Sequence, residues 1–460
     1  MQNEVISDAK KRILSLIDSE SFFEIDALKG SGVIAGYGTI LSRPVCVFAQ
    51  DFSVMSGAVT SENCDKICKI IDMAVSTGVP LIGFYDSMGA KIDEGVEVFV
   101  ALQKVLYKLS NASGVIPEIA IVSGVVGGIS TFAVNFSDFI FMIENKSKMF
   151  ISGPQAVTAV TGEQVTSESY SGAKAHFENT GSCNFICSDE EDCISKVKEL
   201  LNFLPDNNLS DSEIIEKDED NRVCEELLDE NIDIFKVINS VCDENKFLEV
   251  SGGFAKNIII GFGRIGGRVS GIVANNSLVL DGKINIDSSE KACKFVRFCD
   301  SFNIPIVTFI DNDGFVVSVE EENNGLVKKS AKLLFAYSDC TVPKVNVIFG
   351  KAFGGANLAM GTMADIVLAW DTAKIAVVNP RGAVNVLYSE DIAEADSPVD
   401  FRKEKTEEYI ENNAIPEKAS GFVDAVISPV ETRQRIISAL DMFSSKREIK
   451  SVRRHESISF

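Results

Sequence analysis

The chain states one pattern twice, and a duplicated pattern confines it to folds built from two equivalent halves. Gly36-Tyr37-Gly38-Thr39-Ile40 returns as Gly261-Phe262-Gly263-Arg264-Ile265, and Lys66-Ile67-Cys68-Lys69 as Lys291-Ala292-Cys293-Lys294. The apolar run from Val79-Pro80 to Asp86 matches that from Ile304-Pro305 to Asp311. Each copy then carries a proline-led apolar run ending in a glycine pair, Pro117 to Gly127-Gly128 and Pro343 to Gly354-Gly355. Each closes on Asp138 or Asp365 and on Ala156-Val157 or Ala383-Val384. The copies lie about 225 residues apart, with a drift of one or two. Two equivalent halves predict two equivalent sites, one for each of two reactants.

At 460 residues the chain exceeds one ordinary core, and the repeat fixes the number of modules at two. The expected boundaries are 1–210 for the first, 211–231 for a polar, charged linker without apolar periodicity, and 232–460 for the second. A net charge of −23 argues against nucleic acid and anionic membranes as partners, although local backbone dipoles can still bind an anionic ligand. Met1-Gln2-Asn3-Glu4 leads into a polar helix rather than a secretory signal, and no apolar run is long enough to span a bilayer. The expected location is the cytoplasm. The 11 cysteines sit mostly in apolar patterns and read as reduced, buried thiols.

Residues 32–40, 43–50 and 80–85 read as buried strands, with a hairpin between Tyr37 and Phe48. Ile67, Ile70, Ile71 and Ala74 recur at helical spacing, as do Ala292, Phe295, Val296 and Cys299. This alternation predicts an α/β fold with largely parallel sheets, made of β-β-α units.

Each glycine pair follows a strand and precedes a small-residue, helix-like run. That order presents free backbone N–H groups at a helix start, where a ligand can approach the main chain and a developing oxyanion can bind. Asp86-Ser87-Met88-Gly89-Ala90-Lys91 and Asp311-Asn312-Asp313-Gly314-Phe315 read as turns after strands, with Lys91 a candidate for a phosphate. Histidine is scarce. His455 lies in the polar tail, and His176 assembles no Ser-His-Asp triad. There is no Cys-x-x-Cys, hence no zinc ribbon is expected; no metal site is expected, and there is no Gly-x-x-x-x-Gly-Lys-Ser/Thr loop. Gly261 to Gly266 fits the dinucleotide fingerprint by letter, but it leads into a strand rather than a helix. Backbone stabilisation of an enolate is therefore the expected chemistry.

On these residues the chain resembles the carboxyltransferase subunit of biotin-dependent acyl-CoA carboxylases and decarboxylases, of the propionyl-CoA carboxylase beta and methylmalonyl-CoA decarboxylase alpha type. The motifs include the segments 45–52, 149–154, 160–165, 287–292, 331–337 and Lys351-Ala352-Phe353-Gly354-Gly355-Ala356, and they span nearly the whole chain. The resemblance implies two tandem crotonase-like domains built as spirals of β-β-α units, the first for acyl-CoA and the second for biotin. It implies carboxyl transfer between biotin N1 and the α-carbon of a short-chain acyl-CoA, with biotin itself as the base. It places the thioester oxyanion at Gly127 and Gly128, and the biotin ureido oxygen at Gly355 and Ala356. Gly89, Ala90, Lys91, Gly354 and Leu358 are then ligand-binding. The implied partners are a separate biotin carboxyl carrier protein, and either a biotin carboxylase subunit or a membrane decarboxylase subunit. The implied assembly is a trimer of dimers whose sites join the first module of one subunit to the second of another. Met88 and Lys91 replace a Gly and an Arg of the family pattern, Asp313 replaces a Pro, and Asp371 replaces another Pro. Loss of the proline at 313 predicts a less rigid turn. A biotin-independent crotonase-like enzyme and a non-catalytic scaffold are the competing readings. Acyl-CoA turnover without biotin distinguishes the first, and failure to bind either ligand the second.

Overall fold

A computed structural model of the chain describes residues 6–28, 32–215, 218–219, 221–228, 232–361, 363–451 and 457. Met1 to Glu4 and His455 lie outside these residues. The fold divides into two units. One comprises Met1–Ser212 with Ser251–Phe254, and the other Glu213–Val250 with Ala255–Phe460.

The first unit holds β1 (Phe23–Glu24), β2 (Val33–Ile40), β3 (Arg43–Gln50), β4 (Leu81–Ser87), β5 (Glu118–Gly127), β6 (Phe139–Ile143), β7 (Lys148–Phe150) and β8 (Phe185–Cys187). They form one sheet in the order β1-β2-β3-β4-β5-β6-β8, with β7 also paired to β5. The second unit repeats this with β9 (Phe247–Val250), β10 (Ile258–Ile265), β11 (Arg268–Asn275), β12 (Ile306–Asn312), β13 (Lys344–Phe353), β14 (Ile366–Trp370), β15 (Lys374–Ala376) and β16 (Ala425–Ile427). Its order is β9-β10-β11-β12-β13-β14-β16, with β15 on β13. In each unit an antiparallel hairpin opens the sheet, and parallel strands linked by helices complete it.

The hairpins turn through two residues of positive φ, Leu41 and Ser42 in one unit and Gly266 and Gly267 in the other. Two-residue hairpin loops demand that conformation, and both units stabilise it in the same way. The Asp18 carboxylate accepts the Leu41 and Ser42 amides at 3.1 and 2.8 Å. Asp243 accepts those of Gly266 and Gly267 at 3.1 and 2.7 Å. These turn amides, that of Ser42 foremost, hold the Asp18 carboxyl below its ordinary range.

The helices after each hairpin begin at side-chain caps. Thr60 accepts the Asn63 amide ahead of Ser61–Thr77, and Asn285 forms a capping box with Ser288 ahead of Ile286–Ser301. Both apolar stripes expected from the sequence are buried: Ile67, Ile70, Ile71 and Ala74 in one helix, Ala292, Phe295, Val296 and Cys299 in the other. All cysteines are unpaired, and all but the half-buried Cys293 are buried. Segment 211–231, expected as a polar linker, contains two residues of the core. Cys224 and Leu227 are buried in the core of the second unit, and the Ile215 amide donates to the Gly267 carbonyl at 3.0 Å. Two apolar side chains spaced three apart anchored the segment where its overall charge had suggested solvent.

Candidate active site

The two candidate turns lie at the carboxyl ends of β4 and β5, and again at those of β12 and β13. Both strand pairs lose register there, between Tyr85 and Ser87 and between Ile310 and Asn312. Asp86 or Asp311 occupies the break. The Asp86 Oδ1 accepts the Val125 amide at 3.2 Å, and the Asp311 Oδ1 accepts that of Lys351 at 2.8 Å. Each carboxylate lies directly over a glycine of the neighbouring strand. A Cβ on Gly124 would sit 2.2 Å from Asp86 Oδ1, and one on Gly350 2.3 Å from Asp311 Oδ1. Only glycine permits that approach.

Strand register aligns the two glycine pairs one residue away from their apparent match in the sequence. Gly127 pairs with Phe150, whereas Phe353 occupies the same place opposite Ala376. Gly128 and Gly354 are therefore equivalent, and both are left-handed, with φ of 59° and 67°. The residues after them correspond in turn: Ile129 with Gly355, and Ser130 with Ala356.

Hydrogen bonding separates the amides already committed from those still available. Gly128 N–H donates to the Phe150 carbonyl at 2.8 Å, so it is committed to the fold. Ile129 N–H has no acceptor among the described residues. On the facing turn, Val59 N–H donates to Gly89 O at 2.8 Å and Lys91 N–H to Val59 O at 3.0 Å. This pairing leaves Ala90 N–H directed away from Val59. The second unit repeats it: Ile284 N–H bonds Gly314 O at 3.1 Å and Val316 N–H bonds Ile284 O at 2.9 Å, which leaves Phe315 N–H pointing away. Gly354, Gly355 and Ala356 open the helix Gly354–Ala359, whose first-turn amides have no acceptor within the helix. In the first unit the two turns touch, because a Cβ on Gly89 would lie 3.2 Å from Gly127 O. In the second, one on Gly355 would lie 3.5 Å from the Phe315 ring. Each unit thus brings two turns with spare donors together.

The surrounding side chains are mostly committed to holding these turns. Ser87 Oγ and Ser130 Oγ lie 3.1 Å apart and brace the first pair of turns. At their equivalents, Asn312 and Ala356, that link is missing, and the buried Asn312 Nδ2 is left without an acceptor. Lys91 Nζ lies 3.4 Å from Glu94 and 3.8 Å from Asp93, so the lysine expected at a phosphate is in a local ion pair. Leu358 is half exposed on its short helix. His176 uses Nε2 on the Met149 carbonyl at 2.7 Å and Nδ1 on Thr180 Oγ1 at 3.0 Å, and burial lowers its pKa. It braces β7 and is not available as a base.

The substituted Asp313 supplies its own rigidity. Its carboxylate accepts Asn379 Nδ2 at 2.9 Å and lies 3.4 Å from Lys283 Nζ, while its N–H donates to Asp281 O at 3.2 Å, a bond proline cannot make. The expected loosening of that turn is countered by these three contacts. Met88 projects its side chain to solvent, and Asp371 N–H bonds Ile427 O at 3.2 Å. Among the described residues no cluster of three or more metal-ligating side chains occurs, and no helix is long and apolar enough to cross a membrane.

Comparison with known proteins supplies the family. A propionyl-CoA carboxylase carboxyltransferase subunit of Haloferax mediterranei is 41% identical over 478 residues, covering 98% of this chain and 93% of that protein. The alpha subunit of methylmalonyl-CoA decarboxylase from Veillonella parvula is 40% identical over 478 residues, covering 98% and 92%. A crystal structure of transcarboxylase 12S, described as a hexamer with hydrolysed methylmalonyl-coenzyme A bound, superposes with a TM-score of 0.94 at 39% identity, covering 98% of this chain and 92% of that one. Residues 11–458 match the carboxyl transferase domain, and the chain belongs to that family.

Proposed function

We propose that this carboxyltransferase moves a carboxyl group between biotin on a separate carrier protein and the α-carbon of a short-chain acyl-CoA. The observation that carries the reading is the recurrence, in both units, of paired turns whose amides are not used by the fold. In the first unit Ala90 and Ile129 N–H hold the thioester oxygen as it gains negative charge. Gly127 and Gly128 shape the turn, and Gly128 N–H anchors it to Phe150. In the second unit Phe315, Gly355 and Ala356 N–H hold the biotin ureido oxygen.

The residues of the second unit fit that group. Spare amides suit a neutral carbonyl that becomes anionic, and a Cβ at Gly314 would meet nothing within 4 Å, which leaves open space beside them. When bound, biotin supplies the ring nitrogen that carries the carboxyl group and exchanges it for the α-proton. The chain contributes oriented dipoles that need no reorganisation as charge develops, and a single donor of this kind is worth about 2.7–4 kcal/mol. His176 is occupied on both ring nitrogens, in keeping with a reaction that takes no proton to a histidine.

The relatives include both a carboxylase and a decarboxylase subunit, and the proposed transfer step serves either when run in the corresponding direction. The proposed assembly is a trimer of dimers, which the hexamer described for transcarboxylase 12S supports. The test is carboxyl transfer from methylmalonyl-CoA or malonyl-CoA to free biotin by the purified chain. Transfer supports the reading. Acyl-CoA turnover independent of biotin, or no turnover, overturns it.

A further inference from the structure

We propose that Arg12 is a positioning residue for carboxyl transfer: from the helix Asp8–Leu16 it holds, through Asp86, the turn that presents the Ala90 amide. The inference rests on the functional reading above. Arg12 Nη1 lies 3.1 Å from Asp86 Oδ2, Nε lies 3.1 Å from Glu190 Oε1, and Nη2 reaches the Ser123 carbonyl at 3.5 Å. The Arg12 and Asp86 side chains are only 11% and 8% exposed. The other Asp86 oxygen accepts the Val125 amide, and its own N–H donates to Gln50 Oε1 at 3.0 Å. One carboxylate therefore pins both β4, which runs into the Ala90 turn, and β5, which runs into the Ile129 turn. A guanidinium suits the task because it is always charged and its donors lie in a fixed plane.

The second unit shows that folding does not require this arginine. Asp311 makes the same strand break and the same bond to the neighbouring strand, at Lys351. Aligning the turn-capping Asp18 and Asp243 puts the buried Val237 at the place of Arg12. Asp311 has no cation partner among the described residues. The same break forms without a guanidinium, so Arg12 is retained for how firmly the first turn is held.

Charge state gives the test a second readout. Burial pushes the Asp86 carboxyl upward, and Arg12 chiefly opposes this, followed by the Val125 amide and then by Lys146 from the turn after β6. Glu190, from the helix Glu190–Leu201, faces the same guanidinium and also pairs with Lys146 at 2.6 Å. Without Arg12 the carboxyl takes up its proton at higher pH and lets go of β5.

The experiment compares full-length Arg12→Met, Arg12→Lys and Glu190→Gln with wild type, measuring methylmalonyl-CoA to biotin transfer from about pH 5.5 to 8.5 alongside thermal unfolding. Arg12→Met is expected to lower kcat by about tenfold or more, with KM for the CoA substrate within about threefold. Its acid limb should move to higher pH. Arg12→Lys should restore most of the rate and Glu190→Gln should stay within about twofold. A folded Arg12→Met protein with an unmoved acid limb, or a loss confined to KM, overturns the proposal. If Arg12→Met does not fold, Arg12→Gln, which keeps a polar donor but removes the charge, is read in the same way, and an unmoved acid limb there overturns the proposal. Failure of wild type to transfer at all would count against the functional reading, whereas failure of this proposal leaves wild-type transfer intact.

Discussion

The two units share a strand order and a turn geometry, yet they stabilise equivalent places by different means. Asp86 is tied to Arg12, while among the described residues the Asp311 carboxylate has no cation partner and accepts the Lys351 amide. Ser87 and Ser130 brace one pair of turns, while Asn312 and Ala356 leave a buried amide donor unmet. At the foot of the same strand, Glu118 is buried with both carboxylate oxygens unpartnered, whereas Lys344 donates to the carbonyls of Tyr337 and Cys340 at 2.8 and 2.9 Å. The backbone is what the duplication conserves, and the side chains beneath it have diverged. A function carried by main-chain amides survives that divergence as long as each unit holds its turn by side chains of its own.

The largest predicted effect tests whether both units contribute equally. Ile129 has φ of −66°, the value proline imposes, so Ile129→Pro deletes the amide hydrogen without changing that angle. It should lower kcat by about 10²–10³-fold in the biotin assay, with Ile129→Val near wild type. Gly355→Pro, in the first turn of its helix, should match it. Loss in one variant alone would show that the halves are unequal. A smaller effect separates the rigid turn from the compliant one. Gly124→Ala forces a methyl against a carboxylate held by Arg12 and should cost about 1–3 kcal/mol in denaturant unfolding. Gly350→Ala should cost less, because Asp311 is only partly buried and, having no cation partner among the described residues, can turn aside.

The next comparison is between the buried acid and the buried base. Burial, reinforced by Asp138, pushes the Glu118 carboxyl up to about 9. A folded pKa above the unfolded value of 4.5 means stability is fully present below that value and is lost as pH rises through about 9. Glu118→Gln should remove this slope, worth about 1 kcal/mol between pH 7 and 8, as followed by urea unfolding. The smallest effect is at Asp313. Asp313→Ala loses the bond to Asn379 and should cost about 0.5–1 kcal/mol with a modest fall in kcat, while Asp313→Pro should recover rigidity but lose the bond to Asp281.

Much of the architecture was legible because it is written in period and repetition. The hairpins, the two apolar helix stripes and the strand–glycine–helix turns follow from spacing alone. The exact equivalence of the glycine pairs was not, since one residue of drift is invisible until Gly127 is seen opposite Phe150 and Phe353 opposite Ala376. Nor could the sequence show that Gly128 N–H is committed and Ile129 N–H is spare, because that depends on β7 returning beside β5. Arg12 gave one faint sign, an arginine in a helix whose counterpart places Val237 there. Its partner Asp86 is 74 residues away in sequence, and only the folded sheet brings them together. The anchoring of 211–231 was hidden because composition averages over Cys224 and Leu227.

The most direct test is a structure of the assembled protein with an acyl-CoA thioester and biotin bound. The account predicts the thioester oxygen about 2.7–3.1 Å from the Ala90 and Ile129 nitrogens, and the ureido oxygen at the same range from amides among Phe315, Gly355 and Ala356. Either oxygen held instead by a side chain, with those amides facing solvent, would contradict it.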